Sequence, residues 1–132
     1  MPRITFGLYE NGVDTQAAFG TLNVSGQDEH GFRPFFLLSS AVVGCATGVL
    51  RRELAARGVD YDDIEVVVDV TRNPEILNRI ERIELEFRIA ADADAPRERF
   101  EEAMDAALRG SSMVESVKGA IRVDGRVTMR TA

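Results

Sequence analysis

Cys45 is the only cysteine of the chain, and it lies in an uncharged run, PFFLLSSAVVGCATGVL, from Pro34 to Leu50. A cysteine thiolate is a nucleophile that can attack an O–O or S–S bond and be carried to a sulfenic acid. A free thiol ionises near pH 8.5, so such chemistry requires neighbours that favour the anion. The dipole of its own helix fades within the first turn, and Cys45 lies well beyond that, so a cation is the expected stabiliser. Arg33 flanks the run on one side, Arg51 and Arg52 on the other. Along a helix Arg33 stands roughly 18 Å from Cys45, so only a second subunit could bring it to the sulfur. Arg52 shares the helix face of Cys45, but near a helix C-terminus its plain role is a solvated charge. The plain reading of Cys45 itself is inert packing among small residues.

Other polar candidates have simpler readings. Ser112, followed three residues later by Glu115, has the spacing of a capping box, and Ser111 or Ser112 reads as a helix cap before it reads as a nucleophile. His30 stands alone in the polar loop SGQDEHGFR. With no cluster of His or Cys, no metal site is expected.

The elements that position these residues follow from periodicity. RITFGLY (3–9) alternates, with Ile4, Phe6 and Leu8 on one face, and Asn11–Gly12 signals a hairpin whose return strand runs to about Val24. Pro34 is placed to open a helix that extends to about Arg57, with Gly58 in the left-handed position beyond it. DDIEVVVDVT sets Ile64, Val66, Val68 and Val70 on one strand face, and Pro74 breaks the strand. IERIELEFRIA alternates strictly, Ile83, Leu85, Phe87 and Ile89 inward and Arg82, Glu84, Glu86 and Arg88 outward. Pro96 opens a second helix with Phe100, Ala103, Met104, Ala107 and Leu108 at helical spacing, and Gly110 ends it. SSMVESV is a short third helix, and AIRVDGRVTMRT a last strand or a hairpin about Asp124–Gly125. The order ββ-α-ββ-α-α-β predicts an α+β fold with helices on a mainly antiparallel sheet.

At 132 residues, 45% of them hydrophobic and 29% charged, the chain (1–132) is expected to form one globular domain. A net charge of −6 disfavours nucleic acid and anionic lipid as partners. The seventeen uncharged residues would cover roughly 25 Å of a hydrocarbon layer of about 30 Å. Ser39, Ser40, Thr47 and two glycines dilute their hydrophobicity. A helix buried within a soluble fold fits them better than a membrane span. One cysteine and no secretory signal at the N-terminus point to the cytoplasm. Ser40, Gly44 and Gly48 recur every four residues along the first helix, a bare stripe that admits another helix closely. Homodimerisation, most simply with twofold symmetry, is expected to cover it.

GTLNVSG (20–26), RPFFLLSSAVVGC (33–45), IERIELEFRI (80–89) and SSMVESV (111–117), in this order and spacing, resemble the OsmC/Ohr family of osmotically induced and organic hydroperoxide resistance proteins along nearly the whole chain. The resemblance implies an OsmC-like fold with a buried central helix in an intertwined homodimer. It also implies that Cys45 occupies the position of the peroxidatic cysteine, in a thiol-dependent reduction of organic hydroperoxides with no cofactor. The family's active members supply an arginine from the N-terminal hairpin and a glutamate after the helix-opening proline. Here the hairpin tip YENGVDTQAAF has no arginine, Phe35 follows Pro34, and Ser111 takes the place of the second cysteine.

Three functions remain open on this reading. The first is a one-cysteine hydroperoxide reductase, with Cys45 as nucleophile, Arg33 of the partner as thiolate stabiliser and an external thiol as reductant. The second is a non-catalytic dimer that holds a small apolar or thiol ligand in a pocket near Phe35, Phe36 and Cys45. The third is a sulfur carrier or sensor acting through Cys45.

Overall fold

The computed structural model describes residues 2–131. The order of elements is β1 (Gly7–Tyr9), β2 (Gly12–Gln16), β3 (Thr21–Val24), α1 (Pro34–Ala56), β4 (Asp63–Asn73), β5 (Arg79–Ala91), α2 (Arg97–Gly110), α3 (Ser112–Val117) and β6 (Arg122–Thr131). The chain divides into two compact units, 1–40 and 41–132.

The first unit carries the antiparallel sheet β1-β2-β3. Tyr9 pairs with Gly12 across the expected hairpin. A side chain at Gly12 would collide with the Val24 carbonyl oxygen, so glycine is required there for close approach of the backbone. The single return strand expected through residue 24 is two strands. Ala17 and Gly20 exchange backbone hydrogen bonds of 2.9 and 3.1 Å, which fold the chain back at AAFG and let β3 pair with β2. The strand expected over 3–9 is shortened to its last three residues, and Ile4, Phe6 and Leu8 are exposed.

α1 begins in the first unit at Pro34 and ends in the second at Ala56, with both ends as the sequence predicts. Gly58 adopts φ +63°, its N–H donates to Ala55 O, and Val59 N–H donates to Leu54 O at 3.0 Å. This pair of bonds closes the helix end, with Val59 and Leu54 both buried. Every fourth residue from Val42 (Ala46, Leu50, Leu54) enters the core. There they join Ile83, Leu85, Phe87 and Ile89 of β5 and Phe100, Ala103 and Ala107 of α2. The inward and outward alternation of β5 is the one its sequence predicts.

β4 and β5 form a long antiparallel hairpin, but β6 lies parallel to β5 along its whole length. Of the strand and the hairpin read for AIRVDGRVTMRT, the strand is the one formed, and Asp124–Gly125 is its middle rather than a turn. Gly125 is there for packing: a Cβ would sit 3.0 Å from Met104 Sδ and 3.1 Å from Leu108 Cδ1, so α2 lies close over this strand. Gly110 closes α2 from within rather than from beyond its end. The α2–α3 segment is the crossover that a parallel β5–β6 pair requires.

Candidate functional site

Cys45 is half-buried on α1, within the second unit. Its neighbours are the first residues of α3. Ser111, not Ser112, is the N-cap. Its Oγ accepts from Val114 N–H at 3.2 Å, and its side chain is almost wholly buried. The capping-box expectation therefore fails by one residue, and the shift has a chemical consequence. With Ser111 as cap, Ser112 becomes the first helical residue and turns its hydroxyl toward the cysteine, with Cys45 Sγ and Ser112 Oγ 3.6 Å apart. Ser116 Oγ donates to the Ser112 carbonyl at 2.7 Å, which adds a tie within α3.

The sulfur is surrounded by donors. The Ser111 hydroxyl, the Met113 backbone N–H and the Ser112 hydroxyl, with a smaller share from the Ser112 N–H, hold the Cys45 pKa at about 7 against an opposing push from burial. Hydrogen bonds to the charged form favour it. Within one chain no charged group contributes to this shift; hydroxyls and backbone amides at the start of a helix do. Glu115 and Lys118, the charged side chains in and next to α3, are paired with each other at 2.8 Å.

Arg33, Phe35 and Phe36 lie in the first unit. Arg33 is engaged at 4.0 Å with Asp28 and lies 5.5 Å over the Phe35 ring. Phe32 and Phe36 stack with centroids 6.2 Å apart. Together with Gly31 these residues line an open cavity of about 350 Å³. Phe35 and Phe36 share this hollow, and Cys45 is not among its lining residues. Arg51 and Arg52 are exposed, as is His30, whose carbonyl accepts from the Tyr9 hydroxyl at 2.6 Å. Among the described residues no cluster of His, Cys, Asp or Glu could hold a metal ion.

The residues that sequence reasoning missed are Ser112 and Met113 as donors to sulfur. The available signal was the serine pair itself, since whichever serine does not cap is free to face a neighbour.

The fold is α+β, with one half-buried thiol, Cys45, beside the start of a short helix. The family of OsmC-like proteins matches residues 26–125, and the chain belongs to it. Solved structures share the fold over nearly the full length of both chains. An OsmC like protein from Mycoplasma pneumoniae superposes with a TM-score of 0.81 at 15% identity, over 96% of this chain and 95% of that one. A hypothetical protein from Aquifex aeolicus VF5 gives 0.80 at 15% identity, over 98% of each. The organic hydroperoxide resistance protein OhrB of Bacillus subtilis gives 0.67 at 17% identity, over 96% of each. A search of curated proteins found no match.

Proposed function

We propose that the protein is a one-cysteine, thiol-dependent reductase of organic hydroperoxides that serves in defence against oxidative stress. The observation that carries this reading is the ring of donors around the Cys45 sulfur, which favours the thiolate near neutral pH. Similarity to the Bacillus subtilis protein supports the substrate class. The thiolate attacks the outer oxygen of R–O–O–H, the O–O bond breaks, and Cys45 becomes a sulfenic acid. The departing alkoxide takes a proton and leaves as alcohol. Ser111 has no sulfur with which to form a disulfide, so an external thiol condenses with the sulfenic acid and releases water. A second external thiol then releases Cys45 from the mixed disulfide.

Assembly as a homodimer belongs to the same proposal. By length and composition α1 could cross a membrane, yet only 22% of its most apolar window is buried in one chain. An added Cβ at Gly44 or Gly48 would meet nothing within 4 Å. A second subunit covers these positions and carries Arg33 to its partner's site, in a soluble protein of the cytoplasm. The Cys45→Ser variant tests the catalytic reading: turnover of cumene hydroperoxide with a dithiol should vanish while the dimer persists. Turnover that survives the substitution overturns it.

A second reading is favoured by the cavity of Phe32, Phe35 and Phe36. As a non-catalytic carrier, the dimer would hold a small apolar or thiol ligand there. Native mass spectrometry decides it, because this reading requires a bound molecule and an empty dimer contradicts it.

A further inference from the structure

We propose that Ser112 is a catalytic residue, the mobile hydrogen-bond donor that accompanies negative charge from the Cys45 sulfur to the departing oxygen of the substrate. The inference rests on the proposed reductase reading and adds a second side chain to its chemistry.

Geometry separates the two serines. Ser111 is 1% exposed, and a lone pair of its hydroxyl is occupied by Val114 N–H. It is fixed in the cap and cannot follow a substrate. Ser112 is exposed at the surface of α3, and its Oγ lies 3.6 Å from Sγ, within range for a hydrogen bond to sulfur. In the thiol state either atom can donate. Once the sulfur has lost its proton, only the hydroxyl can, so the contact becomes O–H···S⁻ and strengthens as charge-assisted bonds do.

Attack on a hydroperoxide moves that charge. As the S–O bond forms and the O–O bond breaks, the electron pair leaves with the alkoxide, and the sulfur no longer carries an anion. A donor beside Sγ is then next to the oxygen that acquires the charge. Ser112 can turn about its Cα–Cβ bond, give its proton to the alkoxide and recover one from water. The products are a sulfenic acid and an alcohol, with the proton count restored. A donor that meets charge developing in the transition state lowers the barrier. Among the groups of its own chain that act on the sulfur, none is a cation.

The experiment compares wild type with Ser112→Ala, Ser112→Thr and the control Ser116→Ala. Reaction with tert-butyl hydroperoxide is followed by stopped-flow at a pH high enough to ionise every form, so that thiolate content is equal. Ser112→Ala is expected to react about tenfold more slowly per thiolate, Ser112→Thr within about twofold of wild type, and Ser116→Ala unchanged. An unchanged rate per thiolate in Ser112→Ala overturns the proposal. Iodoacetamide, which has no leaving alkoxide, keeps this failure distinct from failure of the reductase reading. Its rate per thiolate should be the same in all four proteins, and a matching tenfold loss there would mean a structural defect and also overturn the proposal. A wild type that alkylates normally but ignores the hydroperoxide overturns the reductase reading, and the role of Ser112 falls with it.

Discussion

The Cys45 sulfur faces the Ser112 hydroxyl at 3.6 Å because Ser111, one residue earlier, caps α3. The cap sets which serine meets the cysteine, and so a local rule of helix termination decides the chemistry of the thiol.

The thiolate is favoured by the folded state, which links it to stability. Its pKa of about 7 lies below the ordinary 9.0, which the unfolded chain approaches. The stabilisation is therefore fully present above the unfolded value, declines as pH falls from there, and is lost below about 7. Denaturant midpoints of wild type should rise from neutral pH to mildly alkaline pH relative to those of Cys45→Ser. Parallel pH profiles for the two proteins would show that the anion is not held by the fold.

If the proposed reductase reading holds, a cysteine in place of Ser111 would be a resolving thiol. In Ser111→Cys, treatment with one equivalent of hydroperoxide should end in an intrachain disulfide with Cys45, read by intact mass and by loss of both free thiols. The variant should also lose about 1 kcal/mol of stability with its cap. Accumulation of a stable sulfenic acid, with no disulfide, would contradict the placement of Ser111 at the sulfur.

Gly44 separates subunit contact from monomer folding. Since a Cβ there meets nothing within 4 Å in one chain, Gly44→Leu should cost the isolated fold nothing and add about 1 kcal/mol of helix propensity. Sedimentation should nevertheless shift from dimer to monomer. A dimer that survives the leucine would mean that the stripe of Ser40, Gly44 and Gly48 is not the contact.

Gly58 has a backbone role. At φ +63° an L side chain is strained, so Gly58→Ala should lower unfolding free energy by about 1 kcal/mol, and Gly58→Asn by less. Urea titration of the three proteins provides the check.

Where local chemistry decides an element, the sequence was a good guide. Pro34 and Gly58 marked both ends of α1, and the alternation in IELEFRI named four of the residues that β5 buries, Ile83, Leu85, Phe87 and Ile89. Failures came where tertiary pairing decides. AAFG carries no strong turn signal, and only pairing of β2 with β3 reveals the extra strand. Asp124–Gly125 carries one, which left strand and hairpin both open; contact with Met104 and Leu108 makes Gly125 a packing residue in a strand parallel to β5. Of the candidate site, the cysteine was legible in the sequence. Its donors were not, since Cys45 and Ser112 are far apart in sequence and nothing local announces that α3 begins at the sulfur.

The central claim is that native Cys45 is a reactive thiolate. Stoichiometric cumene hydroperoxide should be added to reduced protein, with dimedone to trap sulfenic acid, intact mass as the readout, and hydrogen peroxide and denatured protein in parallel. Native protein should rapidly form a single adduct at Cys45, faster with the organic peroxide. An adduct that forms only after unfolding would contradict it and leave Cys45 as a packing residue.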